Sequence, residues 1–509
     1  MTSQPASALK LHASDDVLIA RNPIAAGTVL ADFGGLVAAG DIPAAHKIAC
    51  RAIAPGAPVR RYGQIIGFAT WPIRAGEHVH VHNLAIGAFE RDYAFGQDVK
   101  PLVPAPEQIA FNGFLRANGR GATRNCIGVI STVNCSATVV KQVARHFSAP
   151  GALDAYPNVD GVVPVTHSFG CCIDHHGEAI AQLRRTLGGY IKHPNFAGVV
   201  VIGLGCETNQ MNALLLAEGV EPGALCVPLV MQELGGTQKT VAAAIAAIER
   251  MLPSANQAAR QPLPVSHLTV ALQCGGSDGY SGITANPALG AAVDLLVRRG
   301  GTAILSATPE IYGAEHLLTR RAINREVGQK LVERIRWWES YAEREKGSID
   351  NNPTPGNKAG GLTTILEKSL GAVAKSGSTP LMGVYRYAEP IDAKGLVFMD
   401  APGYDPIGAT GQIASGANLV AFTTGRGSCL GARPAPSIKI ATNLAMYQRM
   451  VDDMDINCGD IMDGAASVEQ KGREIFRMMI AVAAGARSKS EALGVGDEEC
   501  VPWMIGAQM

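Results

Sequence analysis

The chain has 509 residues, with 44 Lys plus Arg balancing 44 Asp plus Glu, and 58 glycines. Zero net charge removes the cationic footprint of a nucleic-acid or anionic-membrane binder, so neither partner is expected. The 11 cysteines of so long a chain read as reduced thiols, because large cores need no disulfide staples.

The first residues, MTSQPASALKLHASDDV, lack a basic stretch followed by an apolar one, so no secretory leader is expected. Apolar runs such as AGVVVIGLG fall far short of the ~20 residues a membrane helix needs. A cytoplasmic protein of two to four domains, at roughly 100–200 residues each, is therefore expected.

Residues 1–92 consist of short apolar runs separated by Gly and Pro. One phrase occurs three times: Ile24-x-x-Gly27 with Leu30, Ile53-x-x-Gly56 with Val59, and Ile73-x-x-Gly76 with Val79. A Gly at a fixed offset between β-formers predicts a repeated turn into a strand, hence a small all-β module. Residues 93–110 are polar and proline-bearing and read as a linker.

From residue 111 the pattern is α/β. The runs CIGVISTV, GVVPVTHS, AGVVVIGLG, CVPLVM, LTVALQ, TAILSA, GLVFMD, NLVAFTT and SIKIAT read as buried strands. Helical periodicity covers 137–147, 178–191, 237–252, 287–299 and 325–346. Such alternation predicts mostly parallel sheets covered on both faces. A break near SANQAARQPLPVSH divides residues 111–260 from residues 261–509 as two α/β domains. The Gly-rich stretch near 347–380 reads as an active-site insertion.

Four cysteines follow four strands: Cys135, Cys171, Cys206 and Cys274. Thiolates on one rim suit a soft metal or an iron–sulfur cluster, although any single Cys is more often core, and none forms a CxxC pair. Cys50, Cys126, Cys226, Cys429, Cys458 and Cys500 read as filler. In EHVHVHN, His78, His80 and His82 share one face if the segment is a strand. Imidazoles so spaced suit a divalent metal or proton transfer; the alternative is an exposed polar face.

Basic residues lie in glycine-rich loops: Arg120 in NGRGATRN, Lys358 in TPGNKAGG and Arg426 in TTGRGSC. Glycine lets the backbone approach an anion that the cation clamps. No GxGxxG lies in a strand–helix unit and no GxxxxGK[ST] occurs, so neither a nicotinamide nor a nucleotide is expected.

The ordered set HKIA, RRYGQIIGFA, GEHVHVHN, NGRGATRN, VNCSA, THSFGC, VIGLGCETNQ, CGGSDGYSGITANP, PTPGNKAGG, FTTGRGS and DMDINCG resembles the altronate/galactarate dehydratase family over essentially the whole length. The first domain resembles a SAF module, a small β-clip domain. GEHVHVHN, SGITANP, PEIYGAEHLL and NPTPGNKAGG resemble the altronate branch. Two departures stand out: AAHK, where the family usually has Gly before His46, and Tyr404-Asp405 within MDAPGYDPIGATGQIASGA, which differs from the enterobacterial altronate type. Sulfolactate sulfo-lyases are similar in sequence as well.

The resemblance implies loss of water from an aldonic or aldaric acid, giving a 2-keto-3-deoxy acid. D-altronate, yielding 2-dehydro-3-deoxy-D-gluconate, is the leading substrate; galactarate dehydration and sulfolactate cleavage are the alternatives. It implies iron, as Fe²⁺ or a cysteine-ligated cluster, near Cys171, Cys206, Cys274 and Cys135. His46, His80 and His82 are then the acid/base candidates from the SAF module, with Arg120, Lys358 and Arg426 on the substrate carboxylate. Asp278 and Glu207 are alternative ligands. A homo-oligomer is expected.

Overall fold

The computed structural model describes residues 7–506. Its N-terminal module is built from short antiparallel strands. One sheet has the order Ala8–Leu9, Val17–Ala20, Lys47–Ala49, His78–Val79, and a second joins Pro58–Arg61, Gln64–Ala69 and Leu84–Ala85. The threefold phrase is visible in space. Gly27, Gly56 and Gly76 take φ of 79°, 72° and 85°, and the isoleucines bridge one another in antiparallel fashion, Ile24 to Ile42 and Ile53 to Ile73. The positive φ is what makes glycine the fitting residue at each turn.

Residues 93–109 form no helix or strand. They are tied down at their start by Asp92 and Asp98, which both pair with Arg320, and by Arg91 and Tyr93, which reach Glu315. The chain then forms Ala110–Leu115, which pairs antiparallel with Gln261–Pro264. The intervening α/β unit is thus entered and left through one ribbon.

That unit has four parallel strands in the order Gly161–Val165, Cys126–Ser131, Phe196–Gly203, Cys226–Val230. Helices Ala137–Phe147 and Thr237–Asn256 cover one face and Glu178–Ile191 the other. Three of these branched apolar strands are buried on both sides, as a parallel sheet requires, and the edge strand Cys226–Val230 is half-buried.

The C-terminal unit is larger. Seven parallel strands run in the order Leu381–Tyr385, Gly395–Met399, Thr302–Ser306, Thr269–Cys274, Leu419–Thr424, Ser437–Ala441, Ile456–Asn457. Mostly parallel sheets behind an N-terminal SAF-type module agree with the fold class expected from the sequence. The nine apolar runs all became strands; Leu381–Tyr385 and Ile456–Asn457 are additions. The Gly-rich stretch near 347–380 contains a buried helix, Ile365–Ala374.

The N-terminal module shares a core with the C-terminal unit. Val59, Ile66 and Val79 lie in one buried cluster with Ile311, Leu370 and Val373. Burial of this kind, at ~25 cal/mol per Å², makes the module an integral part of the unit. Among the described residues no helix is long and apolar enough to cross a membrane.

Candidate active site

Strand Thr269–Cys274 lies between the next strand in sequence, Thr302–Ser306, and the later Leu419–Thr424. The chain runs on from Thr269–Cys274 to Thr302–Ser306 on one side and from its neighbour Leu419–Thr424 to Ser437–Ala441 on the other, so the carboxyl ends of this pair mark the topological switch point where α/β sheets bind ligands. The loop Gly275-Gly276-Ser277-Asp278-Gly279 leaves from this point. Glycine is needed twice here. A side chain on Gly275 would meet Asp405 Oδ2 at 2.0 Å, and one on Gly279 would meet the Ala45 carbonyl at 2.2 Å.

The SAF module brings its histidines to this edge. His46 precedes strand Lys47–Ala49, which pairs with His78–Val79 and so sets His46 beside the EHVHVHN segment. His46 Nδ1 lies 3.0 Å from His78 Nε2, and His46 Nε2 lies 3.3 Å from the Ala359 carbonyl of the PTPGNKAGG loop. The His78 and His80 rings stack at 5.4 Å. Ligand nitrogens of His46, His78 and His80 all fall within 4.8 Å of one another.

His82 is not part of this group. The strand ends at Val79, and Asn83 caps a turn by accepting from the His80 amide and donating to the His78 carbonyl. The period-2 alternation therefore stops at His80 and leaves His82 exposed. His78, which the sequence placed on the same face, takes its place. The Ala before His46 has φ of 69°, a left-handed conformation that favours Gly.

The trio fits a divalent metal. His80 Nδ1 is buried and has no hydrogen-bond partner, and three imidazoles make a donor set that suits iron, zinc and neighbouring ions. Burial, reinforced by the neighbouring histidines, pushes His78 down to about 3. Burial with Lys47 nearby pushes His80 down to about 4, and burial lowers His46 as well. All three are neutral at neutral pH, the state ligation requires.

The four cysteines do not assemble into such a group. Cys135, Cys171 and Cys206 are exposed at the carboxyl edge of the four-stranded sheet. Cys171 Sγ lies 3.8 Å from Cys172 Sγ, and Gln232 donates to Cys206 Sγ at 3.4 Å. Cys274 belongs to the other sheet and is buried, where Lys375 Nζ donates to its sulfur at 2.8 Å. Burial pushes the Cys274 thiol up, away from the thiolate that ligation needs. Cys429, read as filler, is exposed.

The carboxylates suggested as ligands are engaged by protein donors. Asp278 accepts from Tyr280 N, Ser281 Oγ, Thr442 Oγ1 and Asn443 Nδ2 at 3.0–3.1 Å. Four donors use the four lone-pair directions of a carboxylate, so Asp278 clamps the loop. Glu207 accepts from Thr132 Oγ1 and from the amides of Leu204 and Gly205.

Arg426 and Lys358 border the loop. The Arg426 amide donates to the Gly276 carbonyl at 2.7 Å, and its side chain passes Gly360, where an added Cβ would meet Arg426 Cδ at 3.1 Å. Lys358 lies in the short helix Pro355–Ala359, held to the loop by Asn357 Nδ2 donating to the Ser277 carbonyl. Arg120 lies elsewhere, in a cleft of about 460 Å³ beside Ser266, His267 and Thr269. That is the amino end of the same central strand, across the sheet from the histidines.

Two buried charge clusters went unnoticed in the sequence. Glu367 accepts from Lys47 Nζ at 3.0 Å and from Arg61 Nη1 at 2.5 Å, and those two cations also reach the Gly361 and Gly279 carbonyls. In the second cluster, Lys368 bridges Glu310 at 2.7 Å and Asn352 at 2.6 Å, next to Cys274 and Lys375. For the first, the available signal was a lysine inside a strand-like run, as in HKIA.

Imidazoles, cations and glycine-cradled loops thus converge where a β-clip module meets the switch point of a parallel sheet, an arrangement that defines a multidomain α/β enzyme. Profiles of the altronate/galactarate dehydratase family match all three units: the SAF domain over residues 6–87, the second domain over 113–256 and the C-terminal domain over 265–508. Altronate dehydratase of Bacillus subtilis is 35% identical over 481 residues, 94% of this chain and 95% of the relative. Galactarate dehydratase (L-threo-forming) of Escherichia coli is 38% identical over 490 residues, 94% and 93% respectively. The (2R)-sulfolactate sulfo-lyase subunit beta of Chromohalobacter salexigens is 31% identical over 387 residues, 75% of this chain and 95% of the relative. The chain belongs to the altronate/galactarate dehydratase family and is a hydro-lyase of that family.

Proposed function

We propose that the protein dehydrates D-altronate to 2-dehydro-3-deoxy-D-gluconate, with the His46–His78–His80 trio at the centre of its site. The observation that carries this reading is the joining of His46 to the GEHVHVHN histidines, the segment that resembles the altronate branch. Galactarate is the second reading, favoured by the 38% identity to a galactarate dehydratase.

The chemistry sets three demands. A proton must leave C2, alpha to a carboxylate; the negative charge that develops needs stabilisation; and hydroxide is a poor leaving group at C3. Fe²⁺ held by His46, His78 and His80 would supply Lewis-acid assistance to those oxygens. Arg426 and Lys358 border the same loop as that trio and are suited to hold the substrate carboxylate. The neutral imidazoles give up no proton until they gain one, so they act as acceptors or ligands at neutral pH. Docking of the module against the sheet excludes water from one side of the site.

The test is anaerobic purification with metal and sulfide analysis, followed by a panel of altronate, galactarate, other aldonates and sulfolactate. Altronate consumed with release of a 2-keto-3-deoxy acid supports the reading. Turnover of galactarate alone moves the assignment to the second reading, and sulfite released from sulfolactate overturns both. Sulfide recovered in a ratio fitting a cluster would move the metal away from the histidines.

A further inference from the structure

We propose that Asp405 is the carboxylate that removes the C2 proton, facing the substrate across the Gly275–Gly276 turn. This deepens, and rests on, the dehydratase reading above. Four acidic side chains crowd the switch point, and three are already engaged. Asp278 is saturated by four donors, Glu367 is held by Lys47 and Arg61, and Glu310 is bound by Lys368 and Asn352. Asp405 is different. Among the described residues nothing hydrogen-bonds its carboxylate, and it is half-buried rather than sealed, so a substrate could reach it.

Its position is built deliberately by the fold. Asp405 is the first residue of helix Asp405–Ala414, with Pro406 fixing the turn. The preceding turn is pinned from behind, since a Cβ on Gly403 would meet Asn352 Nδ2 at 3.1 Å and Glu310 Cγ at 3.2 Å. In front, the carboxylate presses onto Gly275 together with the Phe422 ring, at 2.0 Å and 2.7 Å from the position a Cβ would take. Any larger residue at 275 would expel it. On the next residue, Gly276, sits Arg426, and beyond Arg426 come Gly360 and the Ala359 carbonyl that touches His46. Proton acceptor, carboxylate clamp and imidazole trio thus follow one another along a single glycine-lined edge.

The groups that face Asp405 tune it for the task. Burial and the nearby Glu310 raise its affinity for a proton, while Lys368, Lys375 and Lys439 oppose them, leaving it at about 7. A helix N-terminus would favour the anion, so burial outweighs the dipole here. Lys439, buried over the Phe422 ring with Nζ 4.4 Å from its centroid, is brought down to about 8 by burial. A base poised near neutrality is what abstraction from a weak carbon acid calls for.

In the step, the C2–H bond breaks, its proton goes to Asp405, and its electron pair enters the substrate enediolate. That pair then forms the C2–C3 double bond while the C3–O bond breaks and its electrons leave with the hydroxide. The hydroxide takes one proton from solvent at the histidine end and departs as water. Asp405 returns its proton to solvent, and the enol tautomerises to the ketone, so the sum is loss of one water.

The test compares wild type with Asp405→Asn and Asp405→Glu, using altronate, C2-deuterated altronate and metal analysis. Expected for D405N is a kcat lower by about 10²–10⁴-fold with KM little changed. The metal content should be unaltered, and the acidic limb of the pH profile near 7 should disappear. D405E should restore part of the rate with the limb displaced. D405N retaining more than about a tenth of kcat with the limb in place overturns Asp405 as base. A wild type that dehydrates no sugar acid in the panel overturns the dehydratase reading itself, and this proposal with it.

Discussion

Lys47 and Glu367, 320 residues apart, meet at 3.0 Å with neither side chain exposed. Arg61 completes the arrangement from a second strand of the SAF module. One carboxylate from the helix Ile365–Ala374 therefore holds two cations of the other unit, and through them the strand that carries His46. Removing one member of such a group leaves a buried charge unpaired, which costs about 3–5 kcal/mol. Glu367→Gln should lose stability on that scale in denaturant titration, with activity falling in parallel as the histidines lose their seat. Retention of wild-type stability would show that the module is held by its apolar contacts alone.

The same cluster sets an acid limit. Burial alone would raise the Glu367 carboxyl, but Lys47 and Arg61 hold it down at about 2. A carboxyl depressed in the folded state contributes stability that is full above its unfolded value of ~4 and is lost as pH falls through the folded one. Unfolding free energy should therefore decline between pH 4.5 and 2. Glu367→Gln should flatten this part of the curve, and an unchanged slope in the variant would assign acid unfolding to other groups.

Metal binding should be indifferent to pH where most histidine sites weaken. With His78 near 3 and His80 near 4, protons compete for these nitrogens only in acid. Burial lowers His46 as well, so Fe²⁺ affinity by anaerobic titration should hold its neutral-pH level to lower pH than an ordinary imidazole site, which weakens below ~6.5. His46→Ala and His80→Ala should bind less than about a tenth of the metal, and His82→Ala should bind it fully. Loss of metal in the His82 variant would restore the expectation drawn from the alternating pattern.

That pattern illustrates how far the sequence could be read. The strands were legible because a parallel strand buried on both faces is a continuous branched apolar run. Leu381–Tyr385 was missed because Gly383 interrupts LMGVY, and the helix Val468–Ala483 was passed over despite its apolar spacing. The clustered histidines were legible as candidates, but not which three would meet. Membership depends on where the strand ends, and Asn83 decides that through two hydrogen bonds. Cys274 and Arg120 looked functional because they sit next to glycine at element ends. Which end of a strand a loop occupies is a matter of topology, and Arg120 sits at the amino end. Glu367 gave no local signal, since its partners Lys47 and Arg61 lie more than three hundred positions away, and the surroundings of Asp405 come from five separate segments of the chain.

Thiol chemistry should sort the cysteines by the structure. Cys135, Cys171, Cys172, Cys206 and Cys429 are exposed, whereas Cys126, Cys274 and Cys458 are buried. Brief treatment of the native protein with iodoacetamide, followed by peptide mass spectrometry, should alkylate the first group and spare the second. Cys274→Ser should then leave metal content unchanged, because its sulfur accepts from Lys375 and lies outside the histidine group. Iron lost from that variant would return Cys274 to the ligand set.

The two arginines in glycine-rich loops give opposite expectations. Arg426 borders the Gly276 turn and Gly360, beside the histidines, whereas Arg120 lines a cleft at the amino end of the central strand. A charged hydrogen bond to a substrate carboxylate contributes about 1.5–3 kcal/mol. Arg426→Ala should therefore raise KM for the sugar acid by about 10–100-fold, with a smaller effect on kcat. Arg120 donates to the Lys192 carbonyl and is otherwise free, so Arg120→Ala should leave kcat/KM within about twofold of wild type. Steady-state kinetics on both variants decides the matter. A raised KM in the Arg120 variant would place the carboxylate at the amino end of the sheet, where a parallel α/β sheet does not ordinarily bind its ligand.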